Sequence, residues 1–189
     1  SLAAVNNPGL CVLSGAEDAI FNVQKRLDGL NVFNKQLVTS HAFHSHFMDE
    51  ILDSFYNHMS GIKLNKPSIP FFSCLTGRIA DDKEVTDPNY WVKQLRNTVK
   101  FCQCAQSFTE NTEYVFIEIG PGNTLINHAK SCSKYNIVAL QSLPGAKENK
   151  SHSQILLECL GKMWLSGVDI KWEELYENER RRRIPLPLY

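Results

Sequence analysis

Tyr114-Val115-Phe116-Ile117-Glu118-Ile119, then Gly120-Pro121-Gly122, then Asn123-Thr124-Leu125, is the stretch that decides the fold. Its first six residues, rich in β-branched and aromatic side chains, read as a central strand. The Gly-Pro-Gly cluster ends that strand. Asn123 or Thr124 then stands where a helix needs a cap. A further short apolar run, Ile137-Val138-Ala139-Leu140, reads as another strand. Strands alternating with helices predict a parallel α/β sheet.

Upstream, Gly9-Leu10-Cys11-Val12-Leu13 reads as a short buried strand after an Asn-Asn-Pro-Gly turn. Ser14 and Glu17 have capping-box spacing. Ile20, Val23, Leu27 and Leu30 then trace one helical face that ends near Gly29. Residues 32–39 form a second, less regular strand candidate. The first forty residues therefore predict a small α+β unit. Met48, Ile51, Leu52, Phe55 and Met59 repeat at helical spacing. Ile69 to Leu75 reads as a buried strand ending at Thr76-Gly77. Asp87-Pro88 is a helix start, and a further helix is expected over about 98–110. Polar residues 145–153 mark a boundary. A helix carrying Leu156, Leu160, Met163 and Trp164 follows, and Ile184-Pro185-Leu186-Pro187-Leu188-Tyr189 reads as an extended strap.

The 189 residues carry 20 basic and 20 acidic side chains and are 43% hydrophobic, which suits a folded unit of one or two domains. A net charge of zero provides no global field for nucleic acid or an anionic membrane. No apolar run approaches the roughly 18 residues that span a bilayer. The start, Ser1-Leu2-Ala3-Ala4-Val5, reads as an interior segment of a larger protein. The six cysteines are scattered, and Cys102-Gln103-Cys104 lacks zinc-knuckle spacing, so reduced cytosolic thiols are expected.

Four groups of residues invite chemistry. His41, His44 and His46 lie where the β-rich pattern hands over to a helix. One of them, His44, is the candidate catalytic imidazole, the usual base for a hydroxyl or thiol near neutral pH. Surface or capping histidines are the plainer reading, and a three-histidine metal site is a third, although the spacings of three and two suit no single regular element. Gly120-Pro121-Gly122 could cradle an anion, but without a full Gly-x-Gly-x-x-Gly or a Walker lysine a tight turn is preferred. Arg180 to Arg183 follow Glu173, Glu174, Glu177 and Glu179, which cancel most of their field. Cys102 and Cys104 fall in an expected helix interior, where thiols are usually inert. No Gly-x-Ser-x-Gly elbow occurs in the sequence.

Four strings in order carry a resemblance. They are His41-Ala42-Phe43-His44-Ser45-His46-Phe47-Met48, Asn89-Tyr90-Trp91-Val92-Lys93-Gln94-Leu95-Arg96, Phe116 to Leu125, and Arg183 to Tyr189. Together they resemble the acyltransferase domain of modular polyketide synthases, the family that includes malonyl-CoA:acyl-carrier-protein transacylase. The resemblance implies an α/β-hydrolase-like parallel-sheet core with a ferredoxin-like α+β subdomain, here incomplete. It implies that residues 1–46 are part of that small subdomain, 47–145 the C-terminal part of the core, and 146–189 the linker after the acyltransferase.

The resemblance also implies a chemistry: ping-pong transfer of a malonyl-type group by a Ser-His dyad. The thioester of coenzyme A is the substrate, and the acceptor is the phosphopantetheine thiol of an acyl carrier protein. No resident cofactor or metal is implied. His44 matches the family's catalytic histidine, and Gln94 the position whose main-chain carbonyl orients it. His41, Ala42 and Phe43 match the malonyl-specific string, with Phe43 crowding an α-methyl branch. The expected partners are malonyl-CoA, the carrier protein, an adjacent ketosynthase and the N-terminal half that bears the serine, with neither nucleic acid nor membrane, in the cytoplasm. Without that serine the chain is expected to be inactive by itself. The rival reading is a non-catalytic docking or scaffolding module of a synthase.

Overall fold

A computed structural model describes the chain except for residues 112, 178, 180–183 and 188–189. The Arg180 to Arg183 run and the end of the strap, 188–189, lie outside the described residues. Two compact units are distinguished: residues 1–114 with 127–137, and residues 115–126 with 138–189.

The first unit opens on a hairpin. Strand β1 (Leu2–Asn7) pairs antiparallel with β2 (Leu10–Leu13) across Pro8-Gly9. The strand at 10–13 follows its apolar run but is largely exposed and not buried as expected, with Leu10 and Leu13 on the surface, whereas β1 was not legible in the opening residues. The capping box does not form. Ser14 instead extends the hairpin through backbone bonds with Ser1, 2.8 and 2.9 Å long, and helix α1 (Glu17–Gly29) starts after Ala16 without a side-chain cap. The helix ends in a Schellman motif in which Asn31, at φ 54°, is the left-handed residue. Its N–H reaches the Asp28 carbonyl, and that of Val32 reaches Leu27. Residues 32–39 are not a strand. No strand among the described residues pairs with them, and Phe33 stays 90% exposed. A strand pattern without a partner edge gains no ladder.

A 3₁₀ helix (His46–Ile51) leads into α2 (Leu52–Ser60), so the first turn of the expected helix is more tightly wound. The apolar run at 69–75 is mostly not strand. Only β3 (Phe72–Ser73) is extended, and it pairs antiparallel with β4 (Arg78–Ile79). Pro70 lacks a ladder donor. Gly77, at φ 78°, closes the turn by donating to the Ser73 carbonyl at 2.8 Å.

The short α3 (Asp82–Val85) precedes α4 (Pro88–Arg96), which begins as its sequence predicts. Asp87 caps it by accepting from Asn89 N, and Pro88 fills the first turn. Such a cap contributes about 1 kcal/mol. Buried Tyr90 donates from its hydroxyl to buried Ser73 Oγ at 2.7 Å, which ties α4 to β3. Tyr90→Phe should lower unfolding free energy by about 1 kcal/mol in urea titration, the net contribution of one such bond. An unchanged midpoint would show that water replaces the hydroxyl.

Helix α5 (Phe101–Phe108) is shorter than expected. Val99 is not helical but forms a parallel bridge with Ala4, its backbone bonding Ala3 and Val5 at 2.8 and 2.9 Å. Cys102 on α5 lies 3.1 Å from Cys132, sulfur to sulfur, and both are buried. Burial and the Cys102 neighbour push the Cys132 thiol up to about 12. A raised folded pKa stabilises below the unfolded thiol value and is lost as pH rises through that window. Thermal midpoints should therefore fall between about pH 9 and 12, and Cys132→Ala should flatten that slope in a pH series of melts. An identical slope in the variant would rule out this thiol as the source.

The second unit holds the parallel pair. Strand β5 (Val115–Pro121) lies beside β6 (Val138–Leu143), with Val115 opposite Val138 and Glu118 opposite Gln141. Between them in sequence runs helix α6 (Thr124–Cys132), as expected. Helix α7 (His152–Leu165), capped by Ser151, packs on β6. Its buried residues are Ile155 and Cys159, whereas Leu156 and Trp164 are exposed. A last turn of helix, α8 (Trp172–Leu175), follows, and Ile184 and Leu186 are 79% and 82% exposed. No helix among the described residues is long and apolar enough to cross a membrane.

Candidate functional site

The site is built on a turn and the end of a helix, both in the first unit. Phe43 and His44 occupy the turn. His44 adopts φ 57°, one of two non-glycine residues with positive φ among those described. Such a conformation costs about 1–2 kcal/mol for a residue with a Cβ. Strain of this kind persists only where its surroundings over-determine it. Here it brings His44 Nδ1 to 2.9 Å from the main-chain carbonyl of Asn97, 53 residues away. A carbonyl only accepts, so Nδ1 is the donor, and in the neutral ring the lone pair lies on Nε2.

The accepting carbonyl is therefore that of Asn97 and not Gln94. Gln94 lies inside α4, where carbonyls point along the helix axis. The helix ends at Arg96, and Asn97 turns extended (φ −96°, ψ 165°), which swings its carbonyl off the axis. Its side chain closes the helix by donating to the Lys93 carbonyl at 2.8 Å. The end of the helical pattern at Arg96-Asn97 was the available signal: the carbonyls of the last turn, that of Gln94 included, lack helical partners, but only the extended residue past the end turns its own off the axis.

The other residues of the string divide by environment. His41 Nδ1 meets Ser40 Oγ at 2.9 Å, and its ring lies against that of Phe43 at 5.8 Å. His46 stacks on Phe47 at 4.4 Å. Each histidine thus has its own contact, and among the described residues no three His, Cys, Asp or Glu side chains converge to hold a metal ion. Ala42 is half-buried, and Phe43 is 44% exposed beside His44. Ser45, which sequence reading passed over, is fully buried. Its hydroxyl donates to the Ala42 carbonyl at 2.6 Å and accepts from Phe47 N at 3.2 Å. Asp49 on the 3₁₀ helix pairs with Arg96 at the end of α4.

The cysteine alternative finds no support in the geometry. Cys104 is 2% exposed and donates its thiol to the Ser73 carbonyl at 3.3 Å, and the neighbouring Cys74 sulfur and burial hold it far above the ordinary thiol range. A thiol held protonated is a poor nucleophile. The Gly120-Pro121-Gly122 turn belongs to the second unit. Gly122 (φ 88°) donates to the Leu143 carbonyl, and the Glu118 carboxylate accepts from Ile126 N at 3.1 Å. The chain's own carboxylate thus occupies the start of α6, where an anion would sit.

Comparison with known proteins places the chain in a family. Residues 1–170 match the family model described as acyl transferase domain. The spectinabilin polyketide synthase system protein NorB of Streptomyces orinoci is 31% identical over 191 residues, covering 100% of this chain and 9% of that protein. The acyl transferase domain of ZmaA superposes with a TM-score of 0.85 at 35% identity, covering 99% of this chain and 43% of that one. The acyl transferase domain of SpnD, in complex with 2-(pent-4-yn-1-yl)malonyl, superposes with a TM-score of 0.85 at 34% identity, covering 88% and 41%. The chain therefore spans less than half of these solved domains, and about a tenth of the curated relative.

Proposed function

Because this chain belongs to the acyl transferase domain family, we propose that it supplies the general base for transfer of a malonyl-type unit in polyketide biosynthesis. The observation that carries the reading is the His44 Nδ1 contact with the Asn97 carbonyl. It leaves Nε2 as a proton acceptor of fixed orientation, as the third member of a hydrolase triad does elsewhere. Gln94 contributes to the helix that ends beside this carbonyl.

In the proposed reaction His44 Nε2 takes the proton of a serine hydroxyl contributed by polypeptide beyond these residues. The serine oxygen attacks the malonyl thioester carbonyl, the carbon–sulfur bond breaks, and the imidazolium protonates the departing coenzyme A thiolate. In the second half the phosphopantetheine thiol of the carrier protein gives its proton to His44. The thiol sulfur attacks the acyl-serine carbonyl, the ester carbon–oxygen bond breaks, and the imidazolium returns the proton to the serine oxygen. Both half-reactions use this one imidazole and need no resident cofactor. His41, Ala42 and Phe43 would border the acyl group. Residues 1–46 would be part of the small subdomain, 47–145 the C-terminal part of the core and 146–189 the linker towards a ketosynthase. The setting would be the cytoplasm, where thiols such as the six free cysteines stay reduced.

The test is to supply the serine-bearing polypeptide in trans and incubate with radiolabelled malonyl-CoA. Covalent label that chases onto the carrier protein is expected, with none on this chain alone. Absence of label in the reconstituted protein refutes the reading. The scaffolding alternative draws on the exposed Ile184 and Leu186. It would prevail if the upstream elbow lacks serine while the ketosynthase still binds.

A further inference from the structure

We propose that Ser45 is the positioning residue for His44: its buried hydroxyl closes the Ala42-to-Ser45 turn and so holds the left-handed backbone that carries Nδ1 to the Asn97 carbonyl. The inference rests on the proposed base only for its kinetic consequence; the geometric claim stands without it.

Three observations converge on this hydroxyl. It is fully buried, so water does not compete for its bonds. It makes two bonds in opposite directions along the chain, donating back to Ala42 O at 2.6 Å and accepting forward from Phe47 N at 3.2 Å. The residues it brackets are Phe43 and His44, and His44 is the one with φ 57°. The first bond fixes the chord of the turn. The second anchors the far end of that turn to the 3₁₀ helix, whose Met48 is 3% exposed in the core. A strained residue between two fixed ends cannot relax without breaking one of them. The Asp49–Arg96 pair also links the 3₁₀ helix to the end of α4, but its side chains are 54% and 32% exposed, and exposed pairs hold geometry weakly.

The experiment has a spectroscopic arm and a kinetic arm. In the 189-residue chain, ¹⁵N-histidine correlation spectra should show His44 with its proton on Nδ1. In Ser45→Ala that signal should move to the mixture of tautomers of a free imidazole, with His58, His128 and His152 unmoved. With the serine-bearing half supplied, Ser45→Ala should lower the loading kcat about 10- to 100-fold while KM for malonyl-CoA changes less than about twofold, as a misplaced base predicts. Ser45→Thr keeps the hydroxyl and should restore both readouts. If Ser45→Ala does not fold, Ser45→Thr decides the matter: a folded variant without the Nδ1–H signal overturns the proposal. So does Ser45→Ala with wild-type spectrum and kcat. A chain in which His44→Ala loads at the wild-type rate defeats the reading of His44 as base, while the spectra still judge Ser45.

Discussion

His44→Ala should reduce malonyl loading of the reconstituted domain by about 10²- to 10⁴-fold, the range that a positioned general base contributes. Without the imidazole the serine hydroxyl must give its proton to water, and the departing thiolate loses its proton donor. In the proposed reaction the ring carries protons and is assigned no binding contact, so binding should survive. The signature is therefore a fall in kcat with KM for malonyl-CoA nearly constant. Gln94→Ala is the informative companion. The carbonyl that meets Nδ1 belongs to Asn97 and to the main chain, so truncating the Gln94 side chain should leave loading within about threefold of the wild type, well short of the loss of a base. Single-turnover transfer of radiolabel, read against both variants, checks the pair. Full loading by His44→Ala, or loss of loading by Gln94→Ala equal to it, would falsify the assignment of the base.

The second large effect concerns choice of extender. Phe43→Ser should raise the ratio of kcat/KM for methylmalonyl-CoA over malonyl-CoA by about 10- to 200-fold, the range that one methyl group accounts for in a closed pocket. Phe43 is adjacent to the base in the same turn, and its ring rests against His41 at 5.8 Å. Removing the ring opens volume beside the imidazole without touching the Nδ1 contact. The gain should appear as improved methylmalonyl transfer, with malonyl transfer changed much less. Competition between the two thioesters gives the ratio directly. A ratio that stays within about twofold of the wild type would mean that Phe43 does not border the acyl group.

The legible part of the fold was local. The strand-turn-helix at 115–132 and the strand at 138–143 follow from apolar runs and glycine punctuation. The start of α4 follows from Asp87-Pro88, because cap and φ preference act within three residues. The misreadings share a cause. Ser14 has the residue type and spacing for a cap, but its backbone is already engaged with Ser1 in a hairpin. Residues 32–39 and 69–71 have strand composition, but an extended segment forms a strand only when a partner edge accepts its hydrogen bonds. Pairing across the chain decides both cases, and periodicity within a window does not register it.

The candidate site divides in the same way. His44, its place at the head of a helix, and the family to which its string belongs could all be read from residue order. Which carbonyl steadies the imidazole could not, because Gln94 and Asn97 differ by three residues in sequence yet by a whole change of backbone direction at the end of α4. Nor did order reveal that Ser45 is buried with both of its bonds satisfied. Residue types carry chemical capacity and short-range preference, so sequence alone sufficed for the α/β class and the family. Direction, burial and proton placement arise from contacts spanning up to 53 residues, and only the folded chain brings those groups within hydrogen-bonding distance.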